Sequence, residues 1–107
     1  MPVYLVQASY TPQAVAAMVK NPHDRAAAVK PLIERAGGKL HGLWFAFGTY
    51  DVVAIAEMPD NVTAASFAMA VGSSGSFSAY HTTPLLTSAE AADAMKKAAA
   101  VGYQPPK

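Results

Sequence analysis

Apolar and polar positions along the chain fall into short strand-like runs separated by helix-like segments. Residues 3–9 are rich in β-branched and aromatic side chains, which predicts a first strand. Residues 39–47 and 50–58 predict a second and third strand, and residues 77–86 a fourth. Between Asp51 and Glu57 every residue is apolar, which is typical of a strand buried on both faces.

Capping signals predict where the helices begin. Thr11-Pro12 combines a hydroxyl N-cap with proline in the first turn and predicts a helix over residues 12–20. Residues 22–36 predict a second helix, with a bend near residues 27–29 because Pro31 lies inside it. Residues 62–73 predict a third, and a capping box from Thr87 to Glu90 opens a fourth that ends near residue 100.

The order of these elements is β α β β α β followed by one extra helix, with the first crossover made of two helical segments. It predicts an α+β fold of the ferredoxin-like type, in which helices cover one face of a four-stranded antiparallel sheet. The chain of 107 residues fits one domain over residues 1–100 and a flexible tail over residues 101–107.

The hairpin at residues 45–55 can be assigned a register. If Gly48 and Thr49 form a two-residue type II′ turn, Phe47 faces Tyr50, and a one-residue slip would exchange the two faces. This register also pairs Phe45 with Val52 and Trp44 with Val53. The helix-covered face then holds Leu43, Phe45, Phe47, Tyr50, Val52, Ala54 and Ala56. The opposite, open face holds Gly42, Trp44, Ala46, Asp51, Val53, Ile55 and Glu57.

A second copy of the chain is the expected cover for the open face. Two helices cover only one side of the sheet, yet the third strand is apolar on both. Charged residues make up 14% of the chain, against about 25% in typical domains. The sequence therefore predicts a homo-oligomer, a dimer or larger. The alternative is that the C-terminal helix folds back over the open face.

Composition excludes several classes of function. The net charge is +1 without a basic stripe, which argues against nucleic acid as a partner. The absence of cysteine excludes thiol chemistry, and no spacing of histidines and acids suggests a metal site or a cofactor. No apolar run is long enough to span a membrane, and the N-terminus does not resemble a secretory signal, so we expect a cytoplasmic protein.

Asp51 is the main candidate for chemistry. In the structural interpretation, Asp51 forms a hydrogen bond to the backbone beside the turn. In the functional interpretation, it is a general base or a ligand anchor beside Trp44. His81 and Tyr50 complete the candidate ligand pocket. His41 and His81 lie on strands at opposite edges of a ferredoxin-like sheet, so they can meet only across an interface between two copies.

The same hairpin carries a family resemblance. The run from Phe45 to Asp60 resembles the signature of GYD domain proteins, with Gly48, Tyr50 and Asp51 as the residues of that name. The segment Asn21-Pro22-His23-Asp24-Arg25-Ala26, Gly37-Gly38-Lys39, and Gly72-Ser73-Ser74-Gly75 are similar to further family segments. The resemblance covers residues 1–88 and implies a relative of the dimeric α/β-barrel proteins. It implies no catalytic residue, because fold alone does not fix function.

Three functions are consistent with these observations. The first is binding of an apolar small molecule in a pocket between the sheet and a partner subunit. The second is a cofactor-independent monooxygenase or isomerase that uses Asp51 or a histidine with Trp44 and Tyr50. The third is a purely structural oligomer. The apolar, weakly ionisable composition favours the first, and whether the protein is an enzyme stays open.

Overall fold

The computed structural model describes all residues from 1 to 107, with four strands and four helices. The strands are β1 (Val3–Tyr10), β2 (Lys39–Phe45), β3 (Val52–Glu57) and β4 (Phe77–Leu85). The helices are α1 (Pro12–Lys20), α2 (Arg25–Arg35), α3 (Asn61–Gly72) and α4 (Ser88–Ala99). Residues 101–107 are exposed and have no helix or strand.

The four strands form one antiparallel sheet in the order β2-β3-β1-β4. The α+β fold is therefore confirmed and is consistent with the ferredoxin-like type. Both outer strands are irregular. In β2 the register shifts between Leu40 and Gly42, and β4 contains Pro84.

Side chains at helix starts explain where the helices begin. Thr11, Asp60 and Thr87 each accept a backbone N–H from the first turn of their helix, and Thr87 forms the predicted capping box with Glu90. The second helix begins three residues later than predicted. Asp24 is its N-cap, accepting from the N–H groups of Ala26 and Ala27, so Pro22 lies outside the helix. Pro31 lies inside α2, which is continuous to Arg35.

The hairpin between β2 and β3 differs from the predicted one at its turn. The pairs Phe45–Val52 and Trp44–Val53 are confirmed. However, the predicted two-residue turn at Gly48-Thr49 is wrong, because residues 46–51 form a longer loop closed by a 2.8 Å hydrogen bond from Ala46 N–H to the Asp51 carbonyl. Gly48 does not have the positive φ that a type II′ turn requires.

The longer loop reverses the faces assigned to its last two residues. Tyr50 packs edge-on against His81 of β4, with ring centroids 5.5 Å apart, on the open face. Asp51 lies on the helix side, beside Tyr10, Phe45 and α1. Within the strands themselves the predicted faces hold, because Val52, Ala54 and Ala56 are buried toward the helices while Val53 and Ile55 are half-exposed on the open face.

The core is small and lies at one end of the sheet. Only eight of 107 residues are buried, and no large side chain is fully enclosed. Five of them form the cluster Tyr4, Ile33, Ala56, Met58 and Ala64, between the sheet and the inner turns of α2 and α3. Gly38 allows α2 to join β2 at this end, since a Cβ there would lie 2.3 Å from the Glu57 carbonyl oxygen.

Helix α4 does not cover the open face. It contributes no buried residue, and its Met95 is 70% exposed. The radius of gyration is 17.1 Å, whereas a compact chain of this length has about 13 Å. The alternative in which the C-terminal helix folds back over the sheet is therefore wrong, and the open face is uncovered in the single chain.

Candidate functional site: a cavity between the sheet and the helices

An apolar cavity, here called the inner cavity, lies between the sheet and helices α2 and α3. It has a volume of about 120 Å³, and seventeen of its nineteen lining residues are hydrophobic. Its floor is formed by alternate residues of the strands, among them Val6, Ala8, Leu43, Val52 and Ala54. The small alanine side chains leave room that larger residues would fill. The small strand residues are therefore one of the causes of the cavity.

A wider groove, here called the outer groove, leads from the inner cavity to solvent between α1, α2 and α3. Its volume is about 980 Å³. Six residues border both spaces and form the mouth between them: Tyr10, Arg25, Leu32, Phe67, Val71 and Phe77. A concave, mostly apolar space with a few polar groups is the usual form of a small-molecule site.

A row of aromatic rings runs from the cavity past its mouth: Tyr80 lines the cavity, Tyr10 and Phe77 border the mouth, and Phe45 lies outside it. Tyr10 stacks on Phe77 with ring centroids 4.6 Å apart and on Phe45 at 5.9 Å, and Phe77 meets Tyr80 edge-on at 5.5 Å. These four residues, here called the aromatic row, come from three strands. Their arrangement presents ring faces and edges on which a flat apolar molecule can pack.

Two tyrosine hydroxyls are the first polar groups of the site. Burial raises the pKa of Tyr10, an effect that the nearby positive charge of Arg25 opposes and the negative charge of Asp51 reinforces. Burial also raises the pKa of Tyr80, and the proximity of Tyr10 adds to this rise. Both hydroxyls are therefore protonated near neutral pH and can donate a hydrogen bond.

Arg25, the first residue of α2, is the third polar group. Its Nε is buried without a hydrogen-bond partner, and its Nη1 lies 3.2 Å from Nε2 of His23. Lys30 pairs with Glu34, and Glu57 contacts His41, so no carboxylate pairs with Arg25. The mouth of the cavity thus holds a positive charge that has no carboxylate partner.

Asp51 is occupied in a structural contact. Its Oδ2 accepts the N–H of Tyr10 at 2.9 Å, and its own N–H donates to the Ala8 carbonyl, also at 2.9 Å. The residue thereby joins the hairpin loop to the end of β1. This geometry matches the structural interpretation of Asp51, a hydrogen bond to backbone beside the turn.

The other candidate residues lie on the opposite face of the sheet. Trp44 is 54% exposed on the open face, where its indole lies over Gly42. Tyr50 and His81 contact each other on that face, whereas Asp51 is on the helix side. The structure thus does not bring Trp44 and Asp51 into one pocket. His41 pairs with Glu57 at 2.9 Å, and the sheet order puts it on the edge opposite His81, as predicted.

Sequence reasoning missed the residues at the mouth of the cavity. Tyr10, Arg25 and Tyr80 are far apart in sequence and form no motif. The one available signal was that Arg25 belongs to the segment that resembles the helix-opening segment of GYD proteins. No three histidine or acidic side chains come close enough to hold a metal ion. None of the helices combines the length and the apolar character that crossing a membrane requires.

Comparison with known proteins gives one match. The family model of the GYD domain matches residues 4–95, which is most of the chain. The match reaches into α4, further than the predicted limit at residue 88. Searches of curated proteins and of solved structures gave no significant match.

Proposed function

This chain belongs to the GYD domain family, and we propose that it binds a small apolar molecule in the inner cavity. The observation that carries the proposal is a partly open cavity of about 120 Å³ with an almost wholly hydrophobic lining, in a domain with few buried residues. Empty apolar cavities lose dispersion contacts and destabilise the fold. A ligand that fills the space restores those contacts.

The helix side of the sheet supports this function better than the open face. The inner cavity is bounded within one chain by the sheet, α2 and α3, and its mouth has donors that can orient a ligand. The expected pocket lay instead between the sheet and a partner, around Trp44. The enzymatic alternative used Asp51 or a histidine with Trp44 and Tyr50. Asp51 lies on the opposite side of the sheet from Trp44, whereas His81 contacts Tyr50 on the open face.

A neutral fluorescent probe tests the proposal. Naphthalene, one ring of which has about the size of the cavity, should bind with a saturable, one-site change in its fluorescence. Val71 of α3 lies at the cavity mouth, so Val71→Trp should weaken binding at least tenfold by filling the entrance. Val62→Trp, at an 80% exposed position of the same helix, is the matched control and should bind like the wild type. Unchanged binding in Val71→Trp would refute the location.

We also propose that a second copy of the chain covers the open face. Val3, Leu5, Val53 and Ile55 are half-exposed there, and Trp44 is more exposed still. With α4 directed elsewhere, no part of the same chain covers them. The face contains apolar residues at its centre and the His41–Glu57 pair at its rim, which is the usual composition of an interface.

Sedimentation velocity tests this assembly. Leu5 lies on the inner strand β1 and pairs with Ile55 and Thr83, so Leu5→Lys should convert the oligomer to a monomer. Val62→Lys adds the same charge on exposed α3 and should leave the oligomer intact. A wild-type protein that is monomeric at tens of micromolar would contradict the proposal.

A further inference from the structure

The unpaired cation at the cavity mouth restricts what the ligand can be. Arg25 has no carboxylate partner within 4.0 Å. No acidic residue lines the inner cavity or the outer groove, whereas the groove also contains Arg35. Asp51 is the one acid close enough to act on Tyr10, and its carboxylate accepts the Tyr10 N–H. The local charge therefore favours an anion.

Arg25, Tyr10 and Tyr80 supply hydrogen-bond donors at the mouth and in the cavity behind it. The guanidinium has donors only, and the protonated hydroxyls of Tyr10 and Tyr80 can donate as well. A carboxylate accepts such bonds and forms strong charge-assisted pairs with arginine. A neutral apolar ligand would leave the Arg25 charge at the mouth without a negatively charged partner.

The cavity volume indicates the apolar part of the ligand. An apolar cavity of about 150 Å³ holds one benzene molecule, and the inner cavity has about 120 Å³. A long alkyl chain does not fit in that space. The aromatic row beside it offers ring faces and edges at stacking distance.

We propose that the ligand is a small aromatic carboxylic acid, whose ring enters the inner cavity against the aromatic row and whose carboxylate is bound by Arg25. This inference rests on the proposed function, since it names the ligand class of the same cavity. It assigns Arg25 as the residue that selects an acid over a neutral isostere.

Titration calorimetry with 2-naphthoate, 2-naphthamide and decanoate tests the inference without any variant. One ring of the naphthoate has the size of the cavity and the other reaches the mouth. The wild type should bind 2-naphthoate at least tenfold more tightly than the amide and more tightly than decanoate. Equal affinities for acid and amide would overturn the inference but leave the proposed function standing. Tighter binding of decanoate would overturn the aromatic assignment, and no binding of any probe would overturn both proposals.

Variants of α2 identify the residue responsible. Arg25→Gln should lower the affinity for 2-naphthoate at least tenfold and leave that for 2-naphthamide unchanged, so the amide also reports that the cavity is intact. Arg25→Lys should retain part of the preference for the acid. Lys30→Gln removes one positive charge from an exposed position of the same helix and should bind both probes like the wild type. An unchanged preference in Arg25→Gln would overturn the assignment of Arg25.

Discussion

The hydrogen bond from the Tyr10 N–H to Asp51 gives a quantitative test of the structural role of Asp51. Asp51→Ala removes the acceptor and leaves a partly buried N–H without a partner. Hydrogen bonds to charged groups contribute about 1.5–3 kcal/mol, and partial exposure favours the lower end, about 2 kcal/mol. The entropy of unfolding for 107 residues is about 0.22 kcal/mol/K. The expected fall in melting temperature is therefore roughly 9 °C.

Thermal unfolding followed by circular dichroism, at one protein concentration for all variants, measures this effect. Asp51→Asn keeps an oxygen acceptor but loses the charge, so it should melt between the wild type and Asp51→Ala. Asp93→Ala is the matched control, because Asp93 is exposed on α4. If Asp51→Ala melted within about 2 °C of the wild type, the hydrogen bond would not have the structural role assigned to it.

Two further predictions concern a glycine and a helix cap. Gly38→Ala should destabilise the protein strongly, because its Cβ would lie 2.3 Å from the Glu57 carbonyl oxygen. Gly72→Ala is the control and should leave the stability unchanged, because a Cβ there meets open space. Urea unfolding of both variants measures the difference. The backbone N–H of Thr63 donates to Asp60 and lowers the pKa of its carboxyl group. The stabilisation of α3 by this N-cap is therefore fully present above the unfolded pKa of about 3.9. It is lost as the pH falls through the lower pKa of the folded state. Asp60→Asn keeps a capping acceptor without the titration, so its urea midpoint should fall less than that of the wild type between pH 5 and pH 2; equal slopes would contradict the assignment.

Local signals in the sequence were sufficient for most of the fold. Each of these signals involves only a few neighbouring residues. The structure has helices after the predicted caps Thr11 and Thr87, and a strand at the apolar run of β3. The prediction of the hairpin turn was wrong because the local pattern at Gly48-Thr49 fits a two-residue turn equally well. The longer loop is stabilised by the contacts of Asp51 with Tyr10 and Ala8, about forty residues away. Such long-range contacts do not appear in a local pattern.

The candidate site was less predictable than the fold for the same reason. The aromatic row joins Tyr10, Phe45, Phe77 and Tyr80, which come from three strands that meet only in the folded sheet. The cavity depends on how far α2 and α3 stand from the sheet. Nothing in the sequence distinguishes Arg25 from other helix residues. That it has no carboxylate partner can be known only from the positions of all acidic side chains in the structure.

The irregular outer strands determine how copies of this chain can associate. Pro84 offers no N–H to a further strand beside β4, and the register shift between Leu40 and Gly42 disturbs the other edge. Edge-to-edge addition, which can continue without limit and ends in fibres, is thereby disfavoured. The proposed association through the open face would use the same surface on both copies and would close after two. The chain can therefore expose apolar residues on one face while resisting open-ended growth.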